Sequence, residues 1–356
     1  MVSPDRKDAV VAFHGMIHSP FNLEGIKSAV SRFEQLLTSS SGRKVLYKES
    51  ATFTPEVAEM SKHVIEHHGL VDPLLGDILR AHRVPTVTQE TLNSLRQTID
   101  RAGTGAIEMG LVPPTMGQDF FLSYELEKQR DRFPFDIEYE SHSEGTVREI
   151  SDRLAEVQAL EGENIDFWMR GQVDKIVENK KKIHQATRGI AELREVDIVR
   201  DLGDITQGLA HDKQNGVLFV IFGGSHIDMI ETLKQTMSIE GQVGYETVNT
   251  GLPQSPEAVI QKALRAGKEV PDNVYAQHFL ETIMSVTVQT HAMSRRRFTA
   301  YAENYETVAR TISAIATSFL LSEIKEIARS RKDILDVLRA HSLSAPLLPF
   351  VSRLLI

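Results

Sequence analysis

Two short stretches hold the residue types best able to do chemistry. His14 and His18 stand four apart in AFHGMIHSP, and His226 stands in VIFGGSHID. Both stretches contain the pattern G-x-x-H, as Gly15-Met16-Ile17-His18 and as Gly223-Gly224-Ser225-His226. Each copy follows an apolar run that reads as a strand and leads into a helical pattern. Imidazole at such a turn can ligate a divalent metal or move a proton near neutral pH. Glycine there lets the backbone turn tightly and approach a ligand closely. In open α/β sheets, ligands bind beyond the carboxyl ends of the strands. If the two strands are neighbours, His18 and His226 therefore point at one crevice. The plainer reading of either histidine is a solvated or hydrogen-bonded strand end.

The elements that must position these residues alternate in the first half of the chain. AVVAFHG, KVLYKES, VPTVTQE and PFDIEYE read as strands, with amphipathic stretches such as LEGIKSAVSRFEQLL between some of them. That alternation predicts an α/β fold with a mostly parallel central sheet flanked by helices. Residues 1–145 form the first half of that core, and 146–214 read as a charged helical insertion. Residues 215–252 supply its second half through NGVLFVIFGG, IDMIETLKQTM and QVGYETV, and 253–356 form a helical C-terminal region. Ser19-Pro20 reads as an N-cap with proline at the first helical position. Ser225 and Asp228 read as a capping box opening the helix after the second motif.

Composition narrows the function classes. The net charge of −9 over 356 residues argues against a nucleic-acid or anionic-membrane binder. Cysteine is absent, which excludes disulfides, thiolate metal sites and a cysteine nucleophile. No apolar run is long enough to span a membrane; VARTISAIATSFLLSEIKEIA carries Arg310 and Glu323 and reads as a buried helix. MVSPDRKDAVVAF lacks the layout of a secretory signal, so a soluble cytoplasmic protein is expected. A G-x-S-x-G elbow is missing, so serine-nucleophile chemistry finds no support.

FHGMIHSP and VIFGGSHID, together with the glutamate ending VLYKES, resemble the TraB/PrgY/Tiki group of the erythromycin esterase and ChaN-like superfamily. The stretch REVDIVRDLGDITQGLAHDKQNGVLFVIFGGSH adds to the resemblance, with Arg200-Asp201 in the helix before the second motif strand. The resemblance covers roughly the first 250 residues. It departs at Lys48, where an apolar residue is more usual before the glutamate, and in the helical insertion.

The resemblance implies a metal-dependent hydrolase of peptidase or esterase type, acting on a peptide or small-molecule substrate. His18, Glu49 and His226 would be its ligand or acid-base set, with His14 as a weaker ligand candidate. Nitrogen and oxygen donors alone admit Zn, Mn, Co or Fe. Glu49 would serve as base or as ligand. Arg200, or a backbone amide of the Gly223-Gly224 turn, would stabilise the oxyanion, and Gly15, Gly223 and Gly224 would bring backbone close to the bound group. Two other classes stay open. One is a non-catalytic ligand- or haem-binding protein on the same fold; the other is a regulatory protein acting through its charged helices. The C-terminal helices suit a lid or a homo-oligomer interface equally.

Four further stretches have ordinary explanations. SKHVIEHHG puts His63 and His67 four apart on a helix, but Val64 stands where a metalloprotease helix needs glutamate. A solvated helix end closed by Gly69 is expected there. In FDIEYESHSEG, Asp136, Glu138 and Glu140 share one strand face with His142 just beyond, which suits a metal or acid-base site or the solvated face of an edge strand. NKKKIH and MSRRRF read as solvated helix faces.

Overall fold

In the computed structural model of the chain, residues 8–16, 19, 22–103, 105–113, 116–212, 215–223, 229–236, 243–249, 252, 254–294 and 297–342 are described. Among the described residues, five strands form one parallel sheet: β1 (Ala9–Met16), β2 (Lys44–Lys48), β3 (Asp136–Tyr139), β4 (Gly216–Gly223) and β5 (Val243–Asn249). Their spatial order is β3-β2-β4-β1-β5. The expected α/β class is what the chain adopts, and β4 lies between β1 and β2 although it comes last but one in sequence.

Side-chain alternation divides the sheet into two faces. Ala9, Val11, Phe13, Val45, Tyr47, Leu218, Val220 and Phe222 pack with Ile198, Leu202, Leu209 and Ala210 of the long helix that precedes β4. On the other face, Phe219 stacks on Phe33 with ring centroids 4.8 Å apart, and Phe33 meets Phe135 edge-on. Phe33 lies on α1 (Leu23–Ser39).

Between β2 and β3 run α2 (Pro55–His68), α3 (Asp72–Ala81), α4 (Gln89–Ala102), the short α5 (Gly105–Glu108) and α6 (Gly117–Arg130). After β3 come α7 (Glu144–Met169) and α8 (Val173–His211), and α9 (Met229–Thr236) joins β4 to β5. The remainder is α10 (Pro256–Arg265), α11 (Asp272–Ser294), α12 (Phe298–Glu303), α13 (Tyr305–Thr317), α14 (Leu321–Ser330) and α15 (Ile334–Ser342).

The chain forms two contact units, 1–147 with 194–251 and 148–193 with 252–356. The charged helical segment read as one insertion thus divides at Arg194, because Ile198, Leu202 and Leu209 belong to the core of the sheet. In the second unit, Lys180 is buried and bonds Glu161 at 2.5 Å, while Nε2 of His184 lies 2.9 Å from Nδ1 of His278. Among the described residues, no helix is long and apolar enough to cross a membrane.

Two local expectations fail. VPTVTQE is not a strand: Pro85 removes a ladder donor, and the Thr88 hydroxyl accepts the Thr91 amide hydrogen to start α4 instead. The cap of α1 is Asn22, whose side chain accepts from Gly25 N at 2.9 Å, so the first turn begins after Ser19-Pro20 rather than at it. The Ser225 cap lies outside the described residues.

Candidate functional site

The register of the sheet brings the motif strands together. β1 and β4 are parallel neighbours, with Gly15 opposite Phe222 and Met16 opposite Gly223. β4 also pairs with β2, where Lys48 stands opposite Ile221. Three consecutive strands therefore end at one edge, with Gly15-Met16, Gly223 and Glu49 at or next to their last paired residues. His18, Gly224 and His226 lie outside the described residues.

Glu49 sits in a network of charges at that edge. Nη2 of Arg194 donates to Glu49 Oε1 and, at 2.7 Å, to Glu140 Oε2, while its Nε donates to Glu140 Oε1 at 2.7 Å. The Ser50 amide reaches Glu140 Oε2 at 2.9 Å. His142 lies 2.6 Å from Glu140 through Nε2 and 2.9 Å from Asp197 through Nδ1. The Tyr47 hydroxyl is 3.5 Å from Asp201, and Arg200 holds Asp197 at 2.8 Å and Asp201 at 3.2 Å.

The sequence explains why these groups converge. Arg194, Asp197 and Asp201 lie on the stripe of α8 that also carries Ile198 and Leu202, spaced i, i+3, i+4, i+7, i+8. The apolar members lie on the sheet face carrying Tyr47, and the charged ones meet the groups that follow β2 and β3. Glu140 extends the β2–β3 ladder, its amide donating to Lys48 O at 3.0 Å, so its side chain shares the Tyr47 face. His142 is fixed in the same way by its amide bond to Phe53 O.

Burial sets the charge states. Desolvation alone would raise Glu140, but hydrogen bonds from Arg194 and His142 outweigh it and hold the carboxyl below its usual range. Burial would likewise lower His142, yet its bonds to Glu140 and Asp197 raise it above an ordinary histidine. Both ring nitrogens face carboxylates, which fits a doubly protonated imidazolium. Burial raises Asp201 against the pull of Arg200.

The other candidate residues separate. His14 is 1% exposed and lies on the opposite sheet face, its ring centroid 6.2 Å from that of Phe219. It therefore does not join Glu49. Neither of its ring nitrogens has a hydrogen-bond partner among the described residues. Burial, with the charge of Arg32, pushes its pKa down to about 4, the behaviour of a neutral core histidine. Arg200 is mostly exposed and is held by Asp197 and Asp201; the arginine that touches Glu49 is Arg194, six residues earlier.

Glu140 and His142 correct the solvated-edge reading, since β3 is an edge strand but these two residues beyond it are buried. Only Asp136 is solvated, paired with Arg43; Glu138 meets Lys62. Arg194, like Asp197, belongs to no motif in the sequence. Its signal was a charge on the apolar stripe of a helix, where a lone guanidinium is costly unless paired.

No family model, curated protein or solved structure matches this chain.

Proposed function

We propose that the chain is a metal-dependent hydrolase of peptidase or esterase type whose reacting groups gather at the shared edge of β1, β4 and β2. The observation that carries this reading is the register of Met16 against Gly223 with Glu49 on the next strand. In sequence, His18 comes two residues after the end of β1 and His226 three residues after the end of β4. Two imidazoles and a carboxylate suit a borderline divalent cation such as Zn, Mn, Co or Fe. When bound, such a cation supplies Lewis acidity and lowers the pKa of a coordinated water from near 16 to about 7.

The chain's own residues do the rest. Arg194 donates to Glu49 Oε1 and so sets a positive charge beside the carboxylate that would serve as ligand or base. Glu140 and His142 are too deeply buried to meet a substrate; they position Arg194, as the outer partners of a ligand set do. Backbone amides after Gly223 would take the oxyanion role, since Arg200 is engaged by two aspartates.

The test is metal content and hydrolysis of a panel of peptide and ester substrates by the full chain, with His18→Ala, His226→Ala and Glu49→Gln variants. We expect about one equivalent of metal lost in both histidine variants, and about a hundredfold or greater loss of turnover in Glu49→Gln. Unchanged metal content in both histidine variants would overturn the reading. A second reading, a non-catalytic ligand-binding protein, is favoured by the occupation of Glu49 Oε1 by Arg194. It predicts uptake of ligand without turnover.

A further inference from the structure

The outer face of α2 carries a second set of donor atoms, unconnected with the strand ends. One ligand atom each from His63, Glu66 and His67 lie within 4.8 Å of one another, and all three residues are exposed. Helix geometry accounts for this, because positions i, i+3 and i+4 stack on one face. The opposite face of the helix is anchored by buried Ala58 and Ile65. Gly69 ends the helix at φ 75, so the donors sit in its last two turns on regular backbone.

The tautomer of His67 adds an independent observation. Its Nδ1 lies 2.8 Å from the carbonyl oxygen of His63. A carbonyl can only accept, so Nδ1 carries the hydrogen and the lone pair of the neutral ring sits on Nε2. Metal-binding histidines are commonly held this way, with one ring N–H donating to a carbonyl or carboxylate. The two imidazole rings are 4.0 Å apart between centroids, close enough to converge on a single ion.

We propose that His63, Glu66 and His67 form a surface site for a borderline divalent cation of the Zn(II), Co(II), Ni(II) or Cu(II) class. Two imidazole nitrogens and one carboxylate oxygen match that class and mismatch Ca(II) and Mg(II), which require an oxygen shell. Three donors from one helix leave coordination positions to water or to a group from outside.

The test is Zn(II) titration of the full chain by calorimetry, repeated in His63→Ala, His67→Ala and Glu66→Gln. These side chains are exposed, so the fold is expected to survive, and circular dichroism checks it. In the wild type, either histidine variant should remove one equivalent of Zn(II) or weaken it about tenfold or more. Mg(II) should not compete. In a His18→Ala, His226→Ala background the α2 site should persist, which separates it from the strand-end proposal. Unaltered Zn(II) stoichiometry and affinity in both His63→Ala and His67→Ala would overturn the inference, as would absence of Zn(II) binding in the strand-end double variant if that variant is folded.

Discussion

At the level of single residues, His142 is the most informative group. It bridges Glu140 and Asp197 as a buried imidazolium, and Glu140 in turn orients the guanidinium that holds Glu49. Its raised pKa means that its contribution is fully present below the ordinary histidine value of about 6.5 and is lost as pH rises through the higher folded value. His142→Gln should therefore cost about 3–5 kcal/mol near pH 6, the range for breaking a buried ion pair. The gap to wild type should narrow at pH 9. Urea unfolding at both pH values measures it, and a gap that widens with pH would refute the imidazolium. This residue was legible in the sequence as a member of a polar strand face, but its burial was not. Period-two spacing gives a face; which face meets α8 depends on a partner more than fifty residues away.

At the level of elements, apolar periodicity carried most of the sheet and the long helices. It failed at VPTVTQE because β-branched residues also suit a loop that ends in a threonine cap, and Thr88 resolves the choice through one hydrogen bond. The stripe of α8 was readable in its apolar members. The family resemblance points to Arg200-Asp201, whereas the arginine on the stripe that meets Glu49 is Arg194. α11 poses the same problem, a carboxyl on a buried face. Burial pushes Glu281 up to about 7, with Ser313 opposing the shift and Glu257 adding to it. A raised carboxyl pKa stabilises the fold fully below about 4.5, and this contribution disappears as pH rises through 7. Glu281→Gln should thus be more stable than wild type at pH 8, by up to about 3 kcal/mol, and near-neutral at pH 4.5. His184 and His278 are both lowered by burial and slope the other way, but they are common to both proteins and cancel in the comparison. Thermal melts across that range decide it; a variant less stable at pH 8 would show that Glu281 is held ionised.

At the level of the whole molecule, the strand order determines what can fold alone. β4 separates β1 from β2, so these early strands do not pair with each other, and residues 216–223 are what joins the β2–β3 pair to β1. The core on the Tyr47 face likewise needs Ile198, Leu202 and Leu209 from the end of α8. Both requirements are met only after about two hundred residues of chain, which makes the sheet a non-local, late-closing structure. The sequence suggested two halves of one core but not that the second half supplies the central strand, because strand order depends on pairing and not on pattern. A fragment of residues 1–193 should therefore lack a cooperative unfolding transition and expose apolar surface, although α1 to α6 are all present in it. Adding residues 194–251 in trans should restore a cooperative transition if the missing strand is the cause. Circular dichroism melts and dye binding of the fragment, alone and with its complement, test this. A fragment 1–193 that melts cooperatively by itself would mean that the β2–β3 pair and its helices fold without β4.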